Sequence, residues 1–200
     1  MVDQLLAGDV FEGETFDGVD LAGRDLSEKE LVRCTFRHAR LTETIWNGSR
    51  LDDCVFDTCD LTRQRGKNLA LRGVELRGCK LMGIDWTALA QNPTVKLTEC
   101  QLRYAAISEA NLRLTSFVRC HFEDAAFVEV SLQQAIFDDC ELGGALFERC
   151  DLRQADFSSS RGLVFDPATN RVKGARISLE TAALVATSLG LVVAGFSESR

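Results

Sequence analysis

The chain has 200 residues, a formal net charge of −7 and a hydrophobic content of 46%. An acidic balance excludes nucleic-acid binding through a broad basic surface, and no apolar run reaches the roughly 20 residues that a membrane-crossing helix needs. The opening stretch MVDQLLAGDVFEGE is acidic and lacks the layout of a secretory leader. A cytoplasmic protein with no membrane partner and no direct contact with nucleic acid is therefore expected.

Large apolar residues begin a series at once: Leu6, Phe11, Phe16, Leu21, Leu26, Leu31, Phe36, Leu41, Trp46, Leu51, Phe56 and Leu61 are spaced by five. A period of five fits neither a helix nor a strand, so it marks an internal repeat. Residues two positions before each member are mostly small, and those between are mostly polar. Gly66 interrupts the series between Trp46 and Trp86 on one twenty-residue ladder. Either an indole fills the missing volume, or the coil bulges near residues 63–67. A buried indole N–H would need a partner in either case.

Leu71, Leu76, Leu81 and Trp86 resume the series. Residues 87–95 contain Asn92 and Pro93, both turn formers, and the next member, Leu97, arrives one residue late. This segment is expected to bulge as a loop from an otherwise continuous stack. From Leu97 to Phe157 the series is unbroken for thirteen members. Phe117, Phe137 and Phe157 recur at twenty residues, as do Phe16, Phe36 and Phe56. That larger period predicts coils of twenty residues, with like side chains stacked along the rod.

All eight cysteines precede a large apolar member by two. In that small inward slot Cys behaves as a compact hydrophobe, so neither metal nor cofactor is expected. His38 and His121 stand alone, and no P-loop, dinucleotide fingerprint or zinc-protease motif occurs. The chain reads as a non-enzyme.

After Phe157 the pattern fades. Ser178 to Gly190 then read as a helix with a Ser N-cap, an acidic first turn and a Gly stop. Leu179, Ala183, Leu184, Ala186, Leu189, Leu191, Val193 and Phe196 are more apolar surface than one rod end buries. They are expected to cap the rod and to form a two-fold homodimer interface. Simple self-capping is the alternative. The expected division is a repeat domain over 1–162 and a terminal element over 163–200.

The copies Ala110-Asn111-Leu112, Cys140-Glu141-Leu142, Cys150-Asp151-Leu152 and Ala155-Asp156-Phe157 resemble the consensus of the pentapeptide-repeat family. The resemblance implies an all-β solenoid, a right-handed quadrilateral β-helix, with a C-terminal α-helical element. CKLMGIDWT (79–87) and RVKGARISLETAALVATSLGLVV (171–193) resemble segments of its gyrase-protecting Qnr, MfpA and AlbG group. That implies a dimeric rod that mimics duplex DNA, binds DNA gyrase and counters quinolones or natural gyrase poisons. The alternative is a structural or adaptor scaffold that binds another protein.

Residues 97–160 carry eleven acids and five bases. Their outward acids Glu123, Asp124, Glu129, Asp138, Asp139, Glu141 and Glu148 are the candidate gyrase contacts. Asp138, Glu141 and Glu148 rank first, as having no basic neighbour on their ladders. In the resembled group loops also touch the enzyme, and that role falls here to Leu89, Gln91, Asn92 and Pro93.

Overall fold

The computed structural model describes residues 2–90 and 92–196, with side chains from Leu5 onward. The chain winds into a right-handed quadrilateral β-helix of about eight turns. Each five-residue repeat makes one side of the square. Its first and third residues point inward, and the other three face out. The fifth turns the corner in the left-handed region, with φ between 49° and 63° at the non-glycine corners. Such angles are unfavourable in isolation. Here the corner N–H donates to the next rung, as from His38 to the Asp57 carbonyl at 3.0 Å.

Face 1 is centred on Phe11, Leu31, Leu51 and Leu71, and later on Leu112, Leu132 and Leu152. Face 2 is one parallel sheet of nine strands from Thr15–Asp17 to Arg176–Ile177. Face 3 is a ladder of single bridges running Asp20, Arg40, Asp60, Lys80, Gln101, His121, Glu141 and Arg161. Face 4 carries the parallel strands Asp85–Thr87, Ala106–Ser108, Ala126–Val128 and Leu146–Glu148.

Pairing in register makes side-chain ladders. Phe16, Phe36 and Phe56 stack at 4.7 and 4.9 Å, and Phe117, Phe137 and Phe157 at 4.6 Å for each step. Burying each ring is worth roughly 1.5–3 kcal/mol, and stacking adds about 0.5–1.5 kcal/mol per pair. All eight cysteines are free and buried in their inward slots.

The coil pitch lengthens by one residue across a single junction: Val95–Thr98 pairs with Val74–Arg77, Gln101 with Lys80 and Ala106–Ser108 with Asp85–Thr87, all at an offset of twenty-one. Backbone bonds place the extra residue between Ala90, which donates to the Leu69 carbonyl, and Thr94, which donates to that of Leu71. Leu89 continues the inward ladder of Leu69, and Pro93 is also buried.

At Gly66 the wall closes without a bulge. An added Cβ would meet Leu69 and Gln64 side chains at 2.8 and 3.2 Å. Gln64 therefore fills part of the vacancy, and its Oε1 accepts from Trp86 Nε1 at 2.9 Å. Trp46 Nε1 donates to Thr44 Oγ1, also at 2.9 Å. A cavity of about 20 Å³ remains between the indoles, lined by Leu51, Phe56, Leu69 and Leu71 among others.

Both ends are covered. The short helix α1 (Val2–Ala7) buries Leu5 on the first coil. Lys29, buried in an inward slot, reaches its last turn by donating from Nζ to the Leu6 and Gly8 carbonyls. At the other end winding continues past residue 162: Leu163 and Phe165 are buried, and Arg176–Ile177 closes face 2. Helix α2 (Leu179–Ser188) follows, with Ser178 accepting from the Thr181 N–H as N-cap.

Candidate functional surface

The seven candidate acids do not share a face. Glu123, Asp124 and Glu141 belong to face 3 and its corner toward face 4. Asp138 and Asp139 lie on face 2 and its corner toward face 3. Glu129 and Glu148 lie on face 4 and its corner toward face 1. They form a band round three sides of the rod. Face 1 is different: its outward residues over the last coils include Arg113, Arg153, Arg171 and Lys173 against the single acid Asp151.

Pairing thins the band further. Arg149 donates to Glu129 at 2.9 Å and also to Glu148. Arg161 lies 3.4 Å from Glu141 and 3.9 Å from Asp139. The expectation that Glu141 lacks a basic ladder neighbour is corrected, while Glu148 has none on its ladder and is paired all the same. Arg161 occupies the next rung of the Glu141 ladder, and Arg149 reaches Glu148 along the chain rather than across rungs. Exposed pairs of this kind add little stability, but they cancel local field. Glu123 has His121 nearby, at 3.7 Å. Among the described residues, no cation lies within 4.0 Å of Asp124 or Asp138, nor of the exposed corner acid Glu109, which sequence reasoning left aside. Asp124 folds over Gly144 on the next rung, where any side chain would overlap its carboxylate.

Two acids of this stretch outside the candidate set are held by hydrogen bonds. The Arg153 guanidinium keeps the Asp151 carboxyl below the usual range, and Arg171 lies 3.4 Å away. Hydrogen bonds from Ser158 do the same for Asp156.

Of the four loop candidates, Leu89 and Pro93 face the core and present nothing to a partner. Among the described residues of the insertion, Pro93 turns inward where an outward loop was expected. Asn92 is exposed, where its Oδ1 accepts from Asn111 Nδ2 at 2.9 Å. Gln91 lies outside the described residues.

At the C-terminal end, α2 packs through buried Thr181 and half-buried Val185. Leu179 is 91% exposed and Val192 97%, and Leu189 and Leu191 are also open to solvent. Ala183, Leu184, Ala186, Val193 and Phe196 are half-buried. A groove of about 500 Å³ runs between Leu189 and the wall residues Leu146, Val164 and Phe165.

The pentapeptide-repeat family model matches residues 96–134 and 135–161, in eight copies. Residues 96–161 are pentapeptide repeats. Full-length QnrB1, described as a plasmid-mediated fluoroquinolone resistance protein, has a similar fold. The match has a TM-score of 0.56 and 14% identity over 91% of this chain and 100% of that one. A trypsin-treated variant of QnrB1 matches at a TM-score of 0.46 and 20% identity, over 92% and 99% of the two chains. HetL, from the cyanobacterium Nostoc sp. strain PCC 7120 and involved in heterocyst differentiation regulation, matches at 0.36 and 19%, over 88% and 91%. No curated protein matches the sequence significantly. In this protein the corner glycines and the Asn92 step shape the outer wall, and they carry none of the apolar rhythm that reveals the core.

Proposed function

We propose that this protein acts as a homodimer that binds DNA gyrase, presenting carboxylates where DNA presents phosphates, and so protects the enzyme from quinolones or natural gyrase poisons. The observation that carries the reading is the outer wall of residues 97–160, with eleven acids against five bases on a slender rod. At roughly 4.8 Å per coil, that stretch offers about one net negative charge per 2.5 Å. Duplex DNA carries one per roughly 1.7 Å. The fold shared with QnrB1 is a second support. The third is the exposed apolar patch around Leu179, Leu189, Leu191 and Val192, which suits a two-fold contact and would set two acidic walls end to end. The reading assigns no catalytic step, and its partner is reached electrostatically, so binding weakens with salt.

The test is supercoiling by purified gyrase titrated with the protein, with and without a fluoroquinolone. The expected result is inhibition at micromolar protein, or restored supercoiling in the presence of drug. Asp124→Asn combined with Asp138→Asn should weaken either effect several-fold. Absence of both effects would sink the reading and leave an adaptor scaffold for another protein. For the dimer, light scattering should give twice the 22.1 kDa chain mass. Leu189→Glu with Leu191→Glu should halve it.

A further inference from the structure

Cys59, Cys79, Cys100, Cys120 and Cys140 occupy five consecutive rungs of face 3, all buried and all free. We propose that adjacent rungs of this ladder bind a soft divalent ion in linear two-thiolate coordination, with mercuric ion as the ligand.

The register supplies the geometry. Bridges from Asp60 through Lys80, Gln101 and His121 to Glu141 hold successive rungs parallel and unshifted. The thiols therefore repeat at about the 4.8 Å strand spacing. Four of the five share a cross-rung acceptor: Cys59 donates to the Phe36 carbonyl at 3.4 Å, Cys79 to that of Phe56 at 3.4 Å, Cys100 to that of Leu76 at 3.5 Å and Cys140 to that of Phe117 at 3.5 Å, while Cys120 donates to the Val118 carbonyl of its own rung at 3.5 Å. Neighbouring sulfurs therefore follow one another rung by rung in the same inward slot.

Three chemistries compete for such a ladder, and spacing separates them. A disulfide needs Cβ atoms about 3.5–4.5 Å apart, closer than in-register rungs stand. Zinc takes four ligands in a tetrahedron at about 2.3 Å, whereas each rung interval offers two sulfurs on a line. Two metal–sulfur bonds of about 2.3 Å placed end to end span roughly 4.6 Å, close to the rung spacing. Charge then selects the ion. Mercuric ion displaces one proton from each of two thiols and forms two S–Hg bonds, leaving a neutral group in an apolar interior. A cuprous ion in the same place would leave a buried net negative charge, which is costly.

Five rungs hold two such ions without sharing a sulfur. Cys34 and Cys54 form a further adjacent pair on face 2, while Cys150 stands between Val130 and Asn170 with no thiol neighbour. Three ions per folded chain are expected from these eight cysteines.

The experiment titrates the folded full chain with mercuric chloride. It reads native mass and thiolate–mercury ultraviolet absorption, with circular dichroism confirming the fold. Cys100→Ala leaves the pairs Cys59–Cys79 and Cys120–Cys140 and should still take three ions with Cys34–Cys54. Cys79→Ala with Cys120→Ala leaves the remaining ladder thiols two rungs apart and should take one. Alanine already fills the same slot at Ala39, so both variants keep the packing. Equal uptake by both variants, one ion per thiol, or binding only after denaturation would each overturn the proposal.

Discussion

The first four coils and the stretch from Leu97 to Phe157 share one backbone but solve two different problems. In the first coils charge alternates from rung to rung: Asp17, Arg37, Asp57 and Arg77 on one ladder, and Asp20, Arg40, Asp60 and Lys80 on another. A slip by one coil would set like charges opposite each other, so the pattern pins a register that a bare five-residue rhythm leaves degenerate. Their interior is also marked, with Lys29, Thr44, Ser49 and Gln64 buried. The later stretch is nearly uniform inside and poorly balanced outside. Its stability rests on continuous Leu and Phe ladders, which leaves its surface charge free to serve a partner.

The largest test of that contrast is in the core. Phe137→Ala removes the middle ring of a stack and should cost about 3–5 kcal/mol. Leu71→Ala, beside the existing cavity, should cost nearer 2–3 kcal/mol, because the site is already loosely packed. Denaturant unfolding measures both, and equal losses would remove the packing difference.

Next is the polar interior of the early coils. Gln64→Leu leaves the Trp86 N–H buried without its acceptor and should cost about 1–3 kcal/mol. Adding Trp86→Phe should recover much of that loss in a double-mutant cycle. If it recovers nothing, the hydrogen bond is not what holds the two coils around Gly66.

A smaller effect belongs to the later stretch, where Asp151 is the exception to its unbalanced surface. Its folded pKa is lowered by Arg153. Its contribution is therefore complete above the unfolded carboxylate pKa of about 3.9 and is lost as pH falls through the lower folded value. Asp151→Asn should cost about 1–2 kcal/mol at neutral pH and much less once the wild-type carboxylate is protonated. An unfolding profile as steep in acid as that of the wild type would contradict this.

The core was legible because inward positions obey spacing alone: Phe36, Phe117 and Leu132 stand where a five-residue rhythm puts them. Leu89 and Pro93 escaped because one inserted residue shifts the rhythm within its own coil, so a buried pair looks like a loop. The outer wall was less legible, because pairing depends on side-chain reach. Arg149 finds Glu148 as a sequence neighbour, and Arg161 finds Glu141 from beyond the point where the pattern fades. The partners of the indoles, Thr44 and Gln64, sit in ordinary inward slots. Only their polarity two or more residues from a tryptophan hinted at the role.

The smallest stability effect carries the sharpest functional contrast. Arg119 pairs with Glu99 at 2.6 Å, and its charge also faces Asp138 and Asp139. Arg37 is its counterpart among the alternating ladders of the first coils. Either residue changed to Gln should leave the unfolding midpoint within measurement error, since exposed pairs contribute little. Their effects on gyrase should differ. Arg119→Gln raises the net negative charge of the band proposed to meet the enzyme, so inhibition should strengthen about two- to three-fold at low salt, a gain that fades as salt screens it. Arg37→Gln adds the same charge far from that band and should do nothing. Equal gains from both would mean that gyrase responds to net charge alone, and the division of labour between the two halves would fall.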